Sequence, residues 1–292
     1  MISIIITSFK EPKTIRKAIE SFVNQGIREK YEILVLAPDK ETLAEANKLR
    51  KKSAKLKTIQ DPGKGKPSAL NLAFKKAKRD ILILSDGDVY VGKNSVQHLI
   101  KHFKDNSIGA VTGRVIATND KKTMFGYWAY LLTHGFHRLR LEQMQKGTGI
   151  VCSGYLYAIR KNLIQKIPEG TLADDAYVSS VVAKKGFRIT YEPKAEVYVK
   201  YPTNLPDWIR QKKRTAGRYY QKNNRGREKI HSFIQEAKIG IRDISEIKSF
   251  RHIAWFIMLA VMRLYVWFRV FFDVRLWKRQ FMKTWERVES TK

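Results

Sequence analysis

An α/β fold built on a mainly parallel sheet with helices on both faces is what this sequence predicts, from three observations in its N-terminal half. The first is a β-branched run, Ile2 to Thr7, that gives way after Pro12 to apolar residues at helical spacing, Ile15, Ala18, Ile19, Phe22 and Val23, stopping at Gly26. The second is that the alternation repeats. Tyr31 to Ala37 reads as a strand, residues 40–53 carry Leu43, Ala46 and Leu49 at helical spacing, and Leu56 to Ile59 is a short third strand. Pro67 then opens a helix with Leu70, Ala73, Phe74 and Ala77 on one face, and Asp80 to Leu84 is a fourth strand. The third is spacing: strands separated by helices of this length need crossover connections, which makes the sheet parallel and the crossovers right-handed. Ligands of such sheets gather at the carboxyl ends of the strands.

Beyond residue 85 the pattern is less regular. Val96 to Phe103 reads as helix, Gly109 to Ile116 as strand, Tyr127 to Gln145 as a partly amphipathic helix and Ile150 to Ile159 as strand. Asp174 to Lys185 is a helix ended by Gly186, and Phe187 to Tyr191 a strand. From Asp207 the composition shifts to basic helical sequence and then to an apolar stretch, with Pro202 and Pro206 marking the change. The expected organisation is therefore a catalytic body over residues 1–204, a basic helical region over 205–250, and an apolar helix with a basic tail over 251–292.

Charge narrows the function classes. The 292 residues hold 57 Lys and Arg against 27 Asp and Glu, a formal net charge of +30, which implies a polyanionic partner: nucleic acid, anionic lipid or a phosphorylated substrate. The single cysteine, Cys152, excludes an internal disulfide and a thiolate metal cluster, and suits a reducing compartment. Ile2 to Thr7 is too short for the apolar core of a secretory signal, so the body is expected on the cytoplasmic side.

The chemistry concentrates at Ser85-Asp86-Gly87-Asp88, directly after the apolar strand and so at its carboxyl edge. Two carboxylates one residue apart can share a hard divalent cation, Mg²⁺ or Mn²⁺, which fills its other positions with water and phosphate oxygens. A solvated Asp-Gly-Asp turn is the bland alternative. Upstream, Asp61-Pro-Gly-Lys-Gly-Lys-Pro-Ser-Ala-Leu-Asn71 is a glycine-rich loop entering a helix, whose amides and Lys66 suit phosphate. Downstream, Asp174 and Asp175 open a helix, where acids are favoured as caps whatever the protein does.

Taken in order, these elements resemble the family-2 glycosyltransferases, in particular their membrane-associated branch. Gly65, Lys66, Ala69, Leu70 and Asn71 match the Gly-Lys-x-x-Ala-Leu-Asn segment before the Asp-x-Asp strand. Ser153-Gly154-Tyr155-Leu156-Tyr157-Ala158-Ile159-Arg160 is similar to the acceptor-side segment, Leu172-Ala173-Asp174-Asp175 to the Glu-Asp element, and Gln211-Lys-Lys-Arg214-Thr215 to the Gln-x-x-Arg-Trp element. The resemblance implies a glycosyltransferase A-type fold and an inverting, metal-assisted transfer of a hexose-type sugar from a UDP- or GDP-linked donor. It implies that Thr7, Phe9, Glu11 and Asp39 contact the nucleoside, that Lys66, Asp86, Gln211 and Arg214 hold the nucleotide and its phosphates, and that Asp86 and Asp88 hold the metal. Gly154 and Asp174 then stand on the acceptor side. Asp175 is the general base, a role typically worth about 10² to 10⁴ in rate. The sequence departs from the family pattern at Lys10, where Asn is frequent, and at Thr215, where processive members carry Trp.

Ile253 to Phe272 is long enough to cross a bilayer, yet Arg263 near its middle and Arg269 near its end fit a helix in the interface, and basic residues flank both ends. In-plane or re-entrant association with an anionic membrane, a full crossing, and packing on the body are the three readings; the symmetric flanks favour the first. A lipid-linked or saccharide acceptor in polysaccharide or glycolipid biosynthesis follows from the membrane readings. Two rival functions use part of the pattern. A nucleic-acid-binding protein would explain Lys212, Lys213, Arg214, Arg218, Lys222, Arg225 and Arg227 interleaved with Tyr219 and Tyr220, but leaves the carboxylates idle. A sugar-phosphate nucleotidyltransferase would use the metal and the α/β body, but neither the helix-start base nor the Gln-x-x-Arg element. His134, His137 and Glu142 are helically spaced without a second ligand cluster, and Tyr127, Trp128, Tyr130 and Leu131 form an aromatic group suited to a groove, a membrane or a core.

Overall fold

The computed structural model describes residues 1–51, 53–147, 149–217, 246–247, 249–275 and 289–291. Arg218 to Arg227, including both tyrosines of the basic stretch, and the flanking Lys248, Lys278 and Arg279 lie outside the described residues.

The chain divides into two compact units, one made of residues 1–115, 150–199 and 292, the other of residues 116–149 and 200–291. The second unit is discontinuous, so it includes a stretch of chain that a single boundary near residues 201–206 leaves with the first.

The first unit is organised by an eight-stranded sheet in the order β3-β2-β1-β4-β7-β6-β8-β5. Strands β1 (Ile2–Thr7), β2 (Tyr31–Ala37), β3 (Leu56–Gln60) and β4 (Ile81–Asp86) are mutually parallel, joined by helices α1 (Ile15–Val23), α2 (Lys40–Lys48) and α3 (Lys66–Lys76). Both faces of β1, β2 and β4 are covered, which is why they read as nearly unbroken apolar runs, and every residue of β1 is buried; β3, at the sheet edge, buries only Leu56 fully. After β4 the sheet turns antiparallel. β7 (Leu156–Arg160) runs against β4, β6 (Ile108–Ala117) against β7, and the two-residue β5 (Tyr90–Val91) against the end of β8 (Arg188–Val199). Helices α4 (Ser95–Ile100) and α6 (Asp174–Lys184) complete this unit. One core cluster packs Leu70, Ala73 and Phe74 of α3 and Val178 and Val182 of α6 on Leu84, Tyr157 and Ile159.

Two strands differ from expectation, for visible reasons. Residues 150–155 are not strand, because the amides of Cys152, Ser153 and Gly154 go to side chains, Ser179 Oγ, Thr112 Oγ1 and Asp175 Oδ2, instead of a neighbouring strand. β8 runs on to Val199 rather than ending at Tyr191. Its extension is paired by β5, through Tyr90 with Tyr198 and Val91 with Val197.

In the second unit, α5 (Met124–Gln145), α7 (Leu205–Gly217) and α8 (Phe250–Arg275) share a core of Tyr127, Trp128, Leu131, Trp208, Leu259 and Val266. The contacts run the length of α8. His252 stacks on Tyr127 with ring centroids 4.3 Å apart, Trp128 Nε1 donates to the Trp255 carbonyl at 2.7 Å, and Asp273 pairs with Lys213 at 2.7 Å. The opposite face is apolar and exposed, with Ile257, Met258, Val261, Leu264, Tyr265 and Phe268 at its centre. α8 is thus apolar on both sides, with Leu259 and Val266 against the protein and Ile257, Leu264 and Phe268 facing away, and with His252 and Asp273 held by partners near its ends.

Candidate active site

The parallel half of the sheet brings its loops to one edge, and the acidic turn after β4 is at the centre. In register, Thr7 of β1 lies beside Asp86 of β4, and the Thr7 hydroxyl stands 3.5 Å from Asp86 Oδ1. Gly87 donates its amide to the Thr7 carbonyl at 2.9 Å. A Cβ at position 87 would stand 2.5 Å from Ser8 Oγ and 2.8 Å from Glu11 Oε2, so any larger residue in the turn that spaces Asp86 from Asp88 would force these neighbours to shift. Asp86 and Asp88 are both half-buried.

Beside this turn stands the start of α3. Gly65 caps the helix with φ at +95°, a conformation that suits glycine, and the next residue, Lys66, reaches the acids. Lys66 Nζ is 2.7 Å from Asp86 Oδ1, 3.6 Å from Asp174 Oδ2 and 3.5 Å from the Gly154 carbonyl. Asp174 and Asp175 open α6 on the far side of the lysine. Asp175 is tied by both oxygens: Oδ2 accepts from the Gly154 amide and Oδ1 from the Ala176 amide, each at 2.9 Å. Asp174 is buried, and its Oδ2 has no hydrogen-bond donor.

One ammonium shared among three carboxylates cannot neutralise them all. Burial works against the Lys66 charge, but Asp174, Asp86 and Asp175 outweigh it and hold the lysine above its ordinary pKa. Burial raises Asp174 to about 6; the Lys66 charge opposes this, and the charges of Asp175 and Asp86 add to it. Tyr157, on β7, is fully buried with an unpartnered hydroxyl, and burial followed by the charge of Asp174 pushes it up.

The remaining residues named from sequence fall in both units. Asp39 caps α2, with Oδ1 accepting from the Thr42 amide at 2.9 Å and Oδ2 from the Lys10 amide at 2.8 Å. Its burial is outweighed by those hydrogen bonds, which hold its carboxyl below the usual range. Glu11 is buried and accepts from Ser8 Oγ at 2.7 Å, while Phe9 is exposed. Gln211 and Arg214 belong to the second unit, on α7, where Gln211 is buried with Oε1 unpartnered and Arg214 is exposed.

Two further residues in this region belong to the sequence motifs above but carry no role of their own there. Asp61, after β3, is buried, holds the Gly63 amide at 2.8 Å, and is raised first by burial and then by the charge of Asp39. Its place at a strand end ahead of Pro-Gly was a usable signal. Tyr157 had none, since a tyrosine in an apolar strand reads as core.

A model of the family described as Glycosyl transferase family 2 matches residues 3–167, more than half of the chain. The chain belongs to that family. Among its relatives, the probable glycosyltransferase YdaM of Bacillus subtilis (strain 168) is 27% identical over 227 residues, covering 74% of this chain and 54% of that protein. The hyaluronan synthase of Streptococcus pyogenes is 24% identical over 210 residues, covering 68% of this chain and 48% of that one. The family-2 chain therefore spans about half the length of the curated relatives it matches. Among solved structures it is similar to the mannosyltransferase PcManGT from Pyrobaculum calidifontis, in complex with GDP-Man and Mn²⁺, at a TM-score of 0.68 and 16% identity over 96% of this chain and 88% of that one. It is also similar to S. aureus TarS in complex with UDP-GlcNAc, at a TM-score of 0.50 and 15% identity, covering 92% of this chain and 82% of that one. These likenesses show a shared fold, the glycosyltransferase A-type sandwich.

Proposed function

We propose that this family-2 chain transfers a hexose-type sugar, with inversion, from a UDP- or GDP-linked donor to a lipid-linked or saccharide acceptor at the cytoplasmic face of a membrane. The observation that carries the reading is the meeting of Asp86, Asp174 and Asp175, from segments 88 residues apart or more, around the ammonium of Lys66 at the carboxyl edge of the sheet. Two complexes with similar folds support a nucleotide-sugar donor: one holds GDP-Man with Mn²⁺, another UDP-GlcNAc.

Each group then has a task set by its chemistry. Lys66 and the loop before α3 bind the diphosphate of the donor through charge-assisted bonds. Thr7, Phe9, Glu11 and Asp39 line the nucleoside side, at the ends of β1 and β2. Asp175 takes the proton from the acceptor hydroxyl as its oxygen attacks the anomeric carbon opposite the departing diphosphate. Gly154, whose amide holds Asp175, fixes the carboxylate for that attack. Asp174, raised by burial, stands on the acceptor side.

The donor set suits a divalent ion. Among the described residues no three His, Cys, Asp or Glu side chains close around one point, but Mg²⁺ or Mn²⁺ needs only one or two carboxylates when phosphate and water supply the rest. Asp86 and Asp88 provide hard oxygens, and the buried Asp174 Oδ2 has no hydrogen-bond donor and shares the Lys66 ammonium, 3.6 Å away, with Asp86, which leaves the three acids short of positive charge. When bound, such an ion supplies neutralisation of the leaving diphosphate.

The exposed apolar face of α8 supports association with an anionic membrane surface in the plane of the interface. Among the described residues its segment Phe250–Asp273 is the one helix long and apolar enough to cross a bilayer, with a mean hydropathy of 1.7. A crossing would carry α7, packed beside it, into hydrocarbon with Arg210, Lys212, Lys213 and Arg214. At about 2.5 to 3.5 kcal/mol for each charge at the bilayer centre, the cost is roughly 10 kcal/mol or more. Lying flat, α8 immerses its exposed face and leaves those charges in the headgroup layer.

The test is nucleoside diphosphate release from a panel of UDP- and GDP-sugars, with Mg²⁺ or Mn²⁺, with and without lipid extract. Release that depends on Asp88 and Asp175 supports the reading; release of pyrophosphate, or of nothing from any donor, sinks it.

A further inference from the structure

Lys66 stands where a divalent ion would have to enter. Its ammonium lies 2.7 Å from the same Asp86 carboxylate that the metal-assisted reading gives to the ion, and 3.6 Å from Asp174. An ammonium and a divalent ion a few ångströms apart repel strongly wherever water is partly excluded, so each weakens the other's hold on Asp86. Yet the lysine is not locked in place. Its side chain keeps 21% of its surface exposed, its other polar contact is a long 3.5 Å approach to the Gly154 carbonyl, and it leaves the first residue of α3, next to a glycine. A lysine is a compact charge on a flexible stem and can be re-aimed by whichever anion is strongest nearby. The diphosphate of a nucleotide carries more charge than Asp86 alone.

We propose that Lys66 is the resident counter-cation of the acid cluster, and that it competes with the divalent ion for Asp86 until a nucleoside diphosphate draws its ammonium away. The inference rests on the metal-assisted reading and deepens it. Two consequences follow from linkage. The donor-free site resists stray divalent ions although it is rich in carboxylates, and metal and nucleotide bind as a coupled pair, each raising the affinity of the other by the same factor.

The experiment is a Mn²⁺ titration of the nucleotide-free full chain, read by water-proton relaxation enhancement and independent of turnover. Lys66→Met should tighten Mn²⁺ tenfold or more over wild type while weakening UDP or GDP. Lys66→Arg should keep the weak wild-type Mn²⁺ affinity, because a cation remains. Asp174→Asn should not tighten Mn²⁺, because Lys66 stays on Asp86. Three acids without their cation threaten folding, so the pair Lys66→Met with Asp174→Asn, which removes one charge of each sign, serves as the second variant and should also bind Mn²⁺ more tightly than wild type. Mn²⁺ affinity in both Lys66→Met proteins equal to or weaker than wild type, with Mn²⁺ still bound by wild type in the presence of UDP or GDP, overturns the competition and leaves the metal-assisted reading intact. Absence of Mn²⁺ binding to wild type even with UDP or GDP overturns both.

Discussion

Replacing Asp174 by Asn should change the pH dependence of stability in a direction opposite to that of most carboxylates. Most acids in folded proteins are held low by partners and lose their stabilising effect as pH falls. Asp174 is held high, at about 6 against an ordinary 3.8, because burial and the charges of Asp175 and Asp86 oppose its ionisation more than Lys66 favours it. Its contribution to stability is therefore complete below pH 4, where it is protonated in both folded and unfolded chains, and is lost as pH rises through 6. At about 1.4 kcal/mol for each pH unit between those values, the loss is about 3 kcal/mol. Asn cannot ionise, so Asp174→Asn escapes it. The gap in stability between variant and wild type should shift by about 2 kcal/mol in favour of Asn between pH 4.5 and pH 8, since about a third of the loss is already complete at pH 4.5, whatever fixed cost the amide carries. At roughly 2 °C for each kcal/mol in a chain of this size, the difference between their thermal midpoints should move by about 4 °C. Thermal unfolding of both proteins in matched buffers measures it. A gap that stays constant across the range, or opens in favour of Asp, refutes the idea that three carboxylates compete for one ammonium.

Three further outcomes are expected. Asp175→Asn should lower kcat by about 10² to 10⁴ with little change in donor KM, read from steady-state release of nucleoside diphosphate; a loss confined to KM would assign the residue to binding instead. Gly87→Ala should cost about 1 to 3 kcal/mol and displace the Asp86–Asp88 turn, since the new methyl meets Ser8 and Glu11; a chemical denaturation curve unchanged from wild type would contradict the close approach. Ile257→Ser, Leu264→Ser and Phe268→Ser together should release the protein from anionic vesicles in a flotation assay, each residue withdrawing about 1.5 to 3 kcal/mol of apolar burial. Spin labels along that face should report one common depth, and a graded depth from one end to the other would mean that the helix crosses.

Strands β1, β2 and β4 were legible because a parallel strand covered on both faces leaves an unbroken apolar run, and the short edge strand β3 was legible from its place between two helical periods. The later strands obey no such rule. β8 alternates Lys194 and Glu196 with the buried Ala195 and Val197, and its last residues are paired by Tyr90 and Val91, far away in sequence. The failure at residues 150–155 has the same source: three amides there are satisfied by side chains from Thr112, Asp175 and Ser179. At the site, the acids could be named from motifs, and Asp39 was visible as an acid at a strand end. What spacing cannot express is that Lys66 reaches Asp174 across 108 residues of chain, or that Asp175 spends both oxygens on backbone amides.

The split ancestry of the second unit bears on how the protein can be shortened. Cutting the chain at residue 204 looks, on paper, like trimming a tail from an intact enzyme. It would in fact strip Trp208, Leu259 and Val266 from α5 and leave Tyr127, Trp128 and Leu131 bare in water on a helix that the remaining piece must still carry. A truncated protein of that kind should come out of the cell clumped unless residues 116–149 are shortened to a simple link at the same time.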